Sequence, residues 1–172
     1  KDRTVLMAWE GHRVVDIKSA LETSITDSAR MIEEMANKHN IPRSHIIVDE
    51  DGIGGGVKDI LRCKGFVANR TPEKVKGTKE NYQNLKAQCY FKLADRVNNR
   101  ELAIHTKDTE ARERIIEELE QIKQKDPDKD NKINIVGKDK IKDLLGRSPD
   151  YADTLMMRMF FDVKKNRRIV SF

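Results

Sequence analysis

With 172 residues the chain has the length of one domain, and two independent folds would each be small. Its 34 Lys and Arg against 29 Asp and Glu leave +5, and 37% charged residues stand beside 37% hydrophobic ones; that balance still builds a core and excludes a disordered polyelectrolyte. No stretch approaches the roughly 20 apolar residues of a bilayer span, and Lys1-Asp2-Arg3-Thr4 opens no secretory signal, so the expectation is a domain with no membrane contact, whose Cys63 and Cys89, without a Cys-x-x-Cys, read as reduced cytosolic thiols.

There is no initiator Met and the apolar run Thr4 to Trp9 begins almost at once, as expected of a fragment of a longer protein cut close to a first strand. Residues 4–9 and 12–22 read as a hairpin about Glu10-Gly11. From Ser24 to about Lys38 the spacing of Ile25, Ala29, Ile32 and Ala36 predicts an amphipathic helix, with Thr23, Ser24 and Asp27 as candidate caps. Pro42 breaks the chain. Ile46-Ile47-Val48 then has the continuous apolar pattern of a strand buried on both faces, ending at Asp49. A glycine run, Gly52 to Gly56, leads into a helix over 57–63 and a parallel strand over 65–68.

After a turn-rich stretch at 69–80, Leu85, Cys89, Leu93 and Val97 predict a helix over 81–97, and Ala111, Ile115, Leu119 and Ile122 another over 108–125. Residues 126–131 read as a loop, 133–136 as a strand and 137–146 as a short basic helix. Ser148, as N-cap before Pro149, opens a last helix over 149–162, and the tail is basic and then β-prone. A hairpin followed by strands alternating with helices predicts an α/β layer fold with a mixed sheet.

Asp49 ends a buried strand, where α/β sheets open the crevice that takes ligands; the plainer alternative is that Asp49-Glu50-Asp51 begins a turn. The glycine run fits neither common nucleotide motif, since Val57 stands where G-x-G-x-x-G needs its third glycine and no Gly-Lys-Ser/Thr follows. A tight turn allowing close backbone approach fits it better. Asp153 is the sharpest signal. Its neighbours three, four and seven residues on are Met156, Met157 and Phe160, so it lies on a helix apolar nearly all round. An ionised Asp there needs a metal, hydrogen bonds or a buried ion pair with Arg or Lys. Asp150, three residues earlier, shares its face and also suits a capping role.

A strand-end Asp and an inward helical Asp without ligand cysteines or a close His pair favour a hard cation, Mg²⁺ or Mn²⁺. Two such ions about 4 Å apart are the usual apparatus of phosphodiester hydrolysis. Lys138, Lys140 and Lys142 precede the last helix. Arg158, Lys164, Lys165, Arg167 and Arg168 against Asp162 place a net +4 within residues 158–168. Both clusters are candidate DNA contacts, or else solvated faces.

Three blocks, Ile46 to Val57, Tyr82 to Gln88 and Gly146 to Asp153, resemble the C-terminal nuclease domain of the tailed-phage terminase large subunit. The resemblance implies an RNase H-like mixed β-sheet flanked by α-helices on both faces, filling residues 1–172 as a single domain. It implies cleavage of concatemeric viral DNA by an acidic triad with two divalent ions, Asp49 and Asp153 being the second and third acids and Asp150 an auxiliary ligand. The first acid of that pattern falls upstream of Lys1, and Asp2 corresponds to its accessory Asp. Implied partners are double-stranded DNA, the terminase ATPase domain, the small terminase subunit and the portal, in the cytoplasm of a bacterial host. The alternatives are another RNase H-like nuclease of resolvase type, or a non-catalytic nucleic-acid or motor-docking module in which Asp153 is a buried ion pair.

Overall fold

In the computed structural model, which describes residues 3–51, 54–74, 80–127 and 132–164, the hairpin forms as β1 (Arg3–Glu10) and β2 (Arg13–Leu21), paired antiparallel from Arg3↔Leu21 to Glu10↔Arg13. Gly11 turns the chain at φ +61°, a region that a residue without Cβ enters at no steric cost. The period of two along β1 divides its side chains between two faces. Leu6 and Ala8 are buried against Met35 of α1 (Ile25–Lys38), while Val5, Met7 and Trp9 pack on the main core behind the other face. Helices therefore cover the sheet on both sides. Ser24 caps α1, its hydroxyl accepting the Asp27 N–H, as the sequence predicts.

Beyond Pro42 and a single 3₁₀ turn at Arg43–His45, β3 (Ile47–Asp49) pairs in parallel with β4 (Lys64–Phe66), one residue earlier than expected. Between them runs α2 (Gly54–Leu61), and Val57 and Leu61 close a small core with Ala29 and Val48. The glycines do not form a separate loop before this helix: Gly54, Gly55 and Gly56 are its first turn. Their use is close approach. A Cβ on Gly56 would stand 3.0 Å from Cδ1 of Ile25 on α1, a tight contact that glycine relieves where α1 and α2 pack. Gly52 lies outside the described residues.

The main core gathers Leu85, Cys89 and Leu93 of α3 (Leu85–Asn98) with Ala111 and Ile115 of α4 (Thr109–Gln121). Asn84 and Asp108 cap these helices by accepting the amides of Ala87 and Ala111. Val97, expected to continue the apolar stripe of α3, is 45% exposed, because it falls in the last turn, past the end of the core. A two-residue strand, β5 (Ala103–Ile104), adds in parallel to β2 and gives the order β5-β2-β1, a mixed sheet. It is too short for periodicity to mark it.

Two expectations change at the C-terminal side. The strand expected at 133–136 forms no ladder: Ile133 bridges Tyr82 and Ile135 bridges Gln124, one residue each, so the segment threads between two loops and buries Ile135. The single helix expected over 149–162 is two, α6 (Asp150–Arg158) and α7 (Phe160–Val163), following α5 (Lys138–Leu145). The break is at Met159, fully buried, whose N–H reaches back three residues to Met156, a tightened last turn. Apolar residues continue across the break, so the pattern conceals it. Asp162 then ties α7 to its surroundings, with His12 Nε2 at 2.8 Å, Arg158 Nη1 at 2.9 Å and Arg96 Nε at 3.2 Å. Burial alone would lift its carboxyl, but His12 and Arg158 hold it below the ordinary range. Among the described residues no helix is long and apolar enough to cross a membrane.

Candidate functional site

A cleft of about 880 Å³ separates the outer edges of β1 and β3, with α1 and α6 contributing to its walls. No ladder joins β1 to β3 among the described residues. Asp49, Asp51, Asp150 and Asp153 all line this cleft. Asp49 is the last residue of β3, at the carboxyl end of a parallel strand, and its Oδ1 accepts the Asp51 N–H at 3.2 Å. Burial raises its pKa, and the charges of Asp51 and Asp153 raise it further, against the opposing pull of the Asp51 amide and of Lys86. Asp49, Asp153 and Lys86 thus share one electrostatic environment. The intervening Glu50 turns away to Lys58.

The backbone behind Asp49 depends on glycine. The Asp49 carbonyl oxygen occupies the space that a Cβ on Gly54 would need, so the strand end and the first residue of α2 touch backbone to backbone. Gly54→Ala is expected to push Asp49 out of place at a cost of ~1–3 kcal/mol. Chemical denaturation checks the stability loss, and crystal structures of the variant check the displacement of Asp49.

Asp153 lies in α6 with both oxygens engaged. Lys86 Nζ is 2.8 Å from Oδ1 and 3.0 Å from Oδ2, and the Tyr90 hydroxyl donates to Oδ1 at 2.6 Å. Lys86 and Tyr90 are four apart on α3 and so share a face. Burial, reinforced by the negative charge of Asp153, drives the Tyr90 phenol well above its ordinary pKa, which keeps it a donor. Asp150 is the first residue of α6, and its Oδ2 accepts the Arg3 N–H at 2.7 Å. The two carboxylates thus share the cleft but anchor to different neighbours, one to β1 and one to α3.

The helix start differs from expectation: Pro149, not Ser148, occupies the N-cap position, and the amide of Ala152 is taken by Glu118 of α4 at 2.8 Å. Among the basic candidates, Lys138 lines the cleft and Lys140 is exposed on α5. Arg158 lines the cleft too, while donating to Asp162 and to the Gly11 carbonyl and lying 5.9 Å from the Trp9 ring centre. Lys164 is exposed, its ammonium 5.1 Å from the Phe160 ring centre. Asp2, Lys165, Arg167 and Arg168 lie outside the described residues.

Among the described residues no three His, Cys, Asp or Glu side chains form a group able to hold a metal ion. The donor chemistry at Asp49 and Asp153 nevertheless fits a hard cation, since these carboxylates repel one another and an ammonium already stands against one of them. Sequence reasoning missed Lys86, Tyr90 and Glu118. Lys86 stood within a recognised block, and Glu118, three residues after Ile115 on an apolar stripe, carried the signal that singled out Asp153: a charge at a core position.

No protein-family model and no curated protein matches the chain. Solved structures do. The nuclease domain of the large terminase subunit gp2 of bacterial virus Sf6 superposes with a TM-score of 0.78 at 24% identity, over 92% of this chain and 82% of that one. A lysine-to-alanine mutant of that domain with manganese gives 0.73 at 24% identity over 87% and 79%, and one with calcium 0.73 at 24% over 87% and 78%. The likeness is one of architecture, a mixed sheet flanked by helices: the chain has the RNase H-like fold of a phage terminase nuclease domain.

Proposed function

We propose that this chain is the metal-dependent DNA endonuclease domain of a phage packaging terminase, with Asp49 and Asp153 as catalytic metal ligands and Asp150 as an auxiliary one. The observation that carries the reading is that a strand-end Asp49 and a helical Asp153 line one cleft, with the charge of Asp153 felt at Asp49, in a chain with this fold. Asp49 and Asp153, with Asp150 beside them, would hold two Mg²⁺ or Mn²⁺ ions, whose chemistry would be to lower the pKa of an attacking water and to offset the charge on the leaving oxygen of a phosphodiester. The chain's own residues orient the carboxylates: the Asp51 amide turns Asp49, and Tyr90 with Lys86 turns Asp153.

The remaining acid of the triad is proposed to enter on a strand preceding Lys1, with Asp2 as an accessory group. Arg3 meets Asp150 at the start of β1, and Asp49 ends β3 within the field of Asp153 on the same helix. The start of β1 and the end of β3 therefore lie at the same end of the cleft. A strand hairpinned onto β1 would run parallel to β3 and finish among these carboxylates. Lys138, Lys140, Arg158, Lys164, Lys165, Arg167 and Arg168 are proposed to hold the duplex by its phosphates, which makes binding salt-sensitive and tolerant of sequence. The proposed partners are double-stranded DNA, the ATPase domain, the small subunit and the portal, in the host cytoplasm.

The test is plasmid cleavage by a chain extended upstream of Lys1, with Mn²⁺ or Mg²⁺ and with EDTA. Cleavage that EDTA abolishes supports the reading. The Lys86–Asp153 pair favours a second reading, a non-catalytic nucleic-acid module; it predicts DNA binding indifferent to EDTA and no cleavage.

A further inference from the structure

Glu118 lies on the inner face of α4 and is 1% exposed. Its Oε1 accepts from Arg147 Nη1 at 2.7 Å and its Oε2 from the Ala152 N–H at 2.8 Å. Arg147 Nη2 also reaches Glu117 at 2.7 Å, so one guanidinium spans two neighbouring carboxylates of α4. Ala152 belongs to the first turn of α6, where amides have no intrahelical acceptor, and Pro149 at the N-cap has no side chain that can accept. The Glu118 carboxylate thus supplies from another helix what a capping residue ordinarily supplies locally; burial pushes its pKa up to about 7, against the pull of the Ala152 amide and of Arg147.

A buried ion pair is a poor source of net stability, because desolvation offsets most of the attraction. What this one supplies is direction. Ala152 stands between Asp150 and Asp153, so the bond that fixes its amide fixes how the first turn of α6 is rotated and how far it lies along its axis. Those two coordinates decide whether Asp150 meets the Arg3 N–H and whether Asp153 meets Lys86 and Tyr90.

We propose that Glu118, held by Arg147, is a positioning residue for the cleft carboxylates, capping α6 from α4 so that Asp150 and Asp153 present to the cleft together. The proposal rests on the metal-ligand reading of Asp153 and adds a residue that touches neither substrate nor ion. Glu118→Gln keeps an acceptor for Ala152 but gives up the charge that binds Arg147.

The test compares Glu118→Gln with Ile115→Ala, a core truncation one turn earlier on α4, both in the upstream-extended chain, by Mn²⁺ calorimetry and by the ¹³C carboxyl resonance of Asp153. The expected result is Mn²⁺ affinity about 10-fold weaker in Glu118→Gln and a shifted Asp153 resonance, with Ile115→Ala losing thermal stability while both readouts hold. Unchanged affinity and an unmoved resonance in Glu118→Gln would overturn the proposal, as would equal losses in Ile115→Ala, which would make Glu118 merely structural. Should Glu118→Gln fail to fold, Arg147→Lys is measured in its place, with a smaller change in the same direction expected and no change overturning the proposal. Absence of Mn²⁺ binding by the upstream-extended chain without these substitutions would count against the metal reading itself, and the Asp153 resonance would still decide the role of Glu118.

Discussion

Asp153→Asn and Asp49→Asn are each expected to reduce Mn²⁺-dependent plasmid nicking by the upstream-extended chain more than ~100-fold, since loss of a supporting partner alone costs 10- to 100-fold and these groups are proposed to contact the ions directly. Asn is the informative replacement. At Asp153 it keeps an oxygen for the Tyr90 hydroxyl, a group buried with its side chain, so a loss of activity is not a loss of folding; Ala would leave that donor unsatisfied at about 1–3 kcal/mol. Circular dichroism and thermal melting in EDTA check that the variants are folded. Retained cleavage in either variant would remove its carboxylate from the proposed machinery.

Lys86→Ala is expected to have the second largest effect, and its size depends on whether metal is present. In EDTA the variant is expected to lose about 1.5–3 kcal/mol, the range for a hydrogen bond to a charged group, because Asp153 keeps only Tyr90 and the positive charge that acts on both Asp153 and Asp49 is gone. With saturating Mn²⁺ the deficit is expected to shrink, since a ligand that binds only the folded state stabilises it by mass action and the ammonium no longer competes for the carboxylate. Differential scanning fluorimetry with and without Mn²⁺ measures this. A Mn²⁺-induced rise in melting temperature larger than that of the unaltered chain is the expected outcome. An equal or smaller rise would mean that Lys86 and the cation do not share a site, which favours the non-catalytic module.

Much of the fold is legible in the residues because local signals there agree with long-range packing. The Ser24 cap, the Gly11 turn and the Leu85-Cys89-Leu93 stripe each follow from a period or a residue type, and each is found; β3 forms as expected but buries only Val48 fully. What local pattern missed was set by tertiary context. The two residues of β5 are strand only by their pairing with β2, and the helix break at Met159 interrupts a run of apolar residues that would suit either arrangement. Residues 133–136 have strand chemistry but only single-residue bridges on either side.

The candidate site divides along the same line. Asp49 and Asp153 stand out because a carboxylate at a strand end or on an apolar helix requires an explanation. Their partners do not. Lys86 is an ordinary lysine until α3 packs on α6, and Tyr90 an ordinary core aromatic until its hydroxyl is found on Asp153. Arg158 shows the reverse: read as one of a basic cluster, it is also part of the clamp around Asp162 that ties α7 to the hairpin turn. Charge counted along a sequence does not reveal which charges already have partners.

The central claim, that Asp49 and Asp153 together hold divalent metal, is met most directly by a crystal structure of the upstream-extended chain soaked in Mn²⁺, with anomalous diffraction at the manganese edge. The account predicts anomalous density between the carboxylates of Asp49 and Asp153, with Lys86 displaced from Asp153. Density elsewhere, or none with the Lys86–Asp153 pair intact, would contradict it.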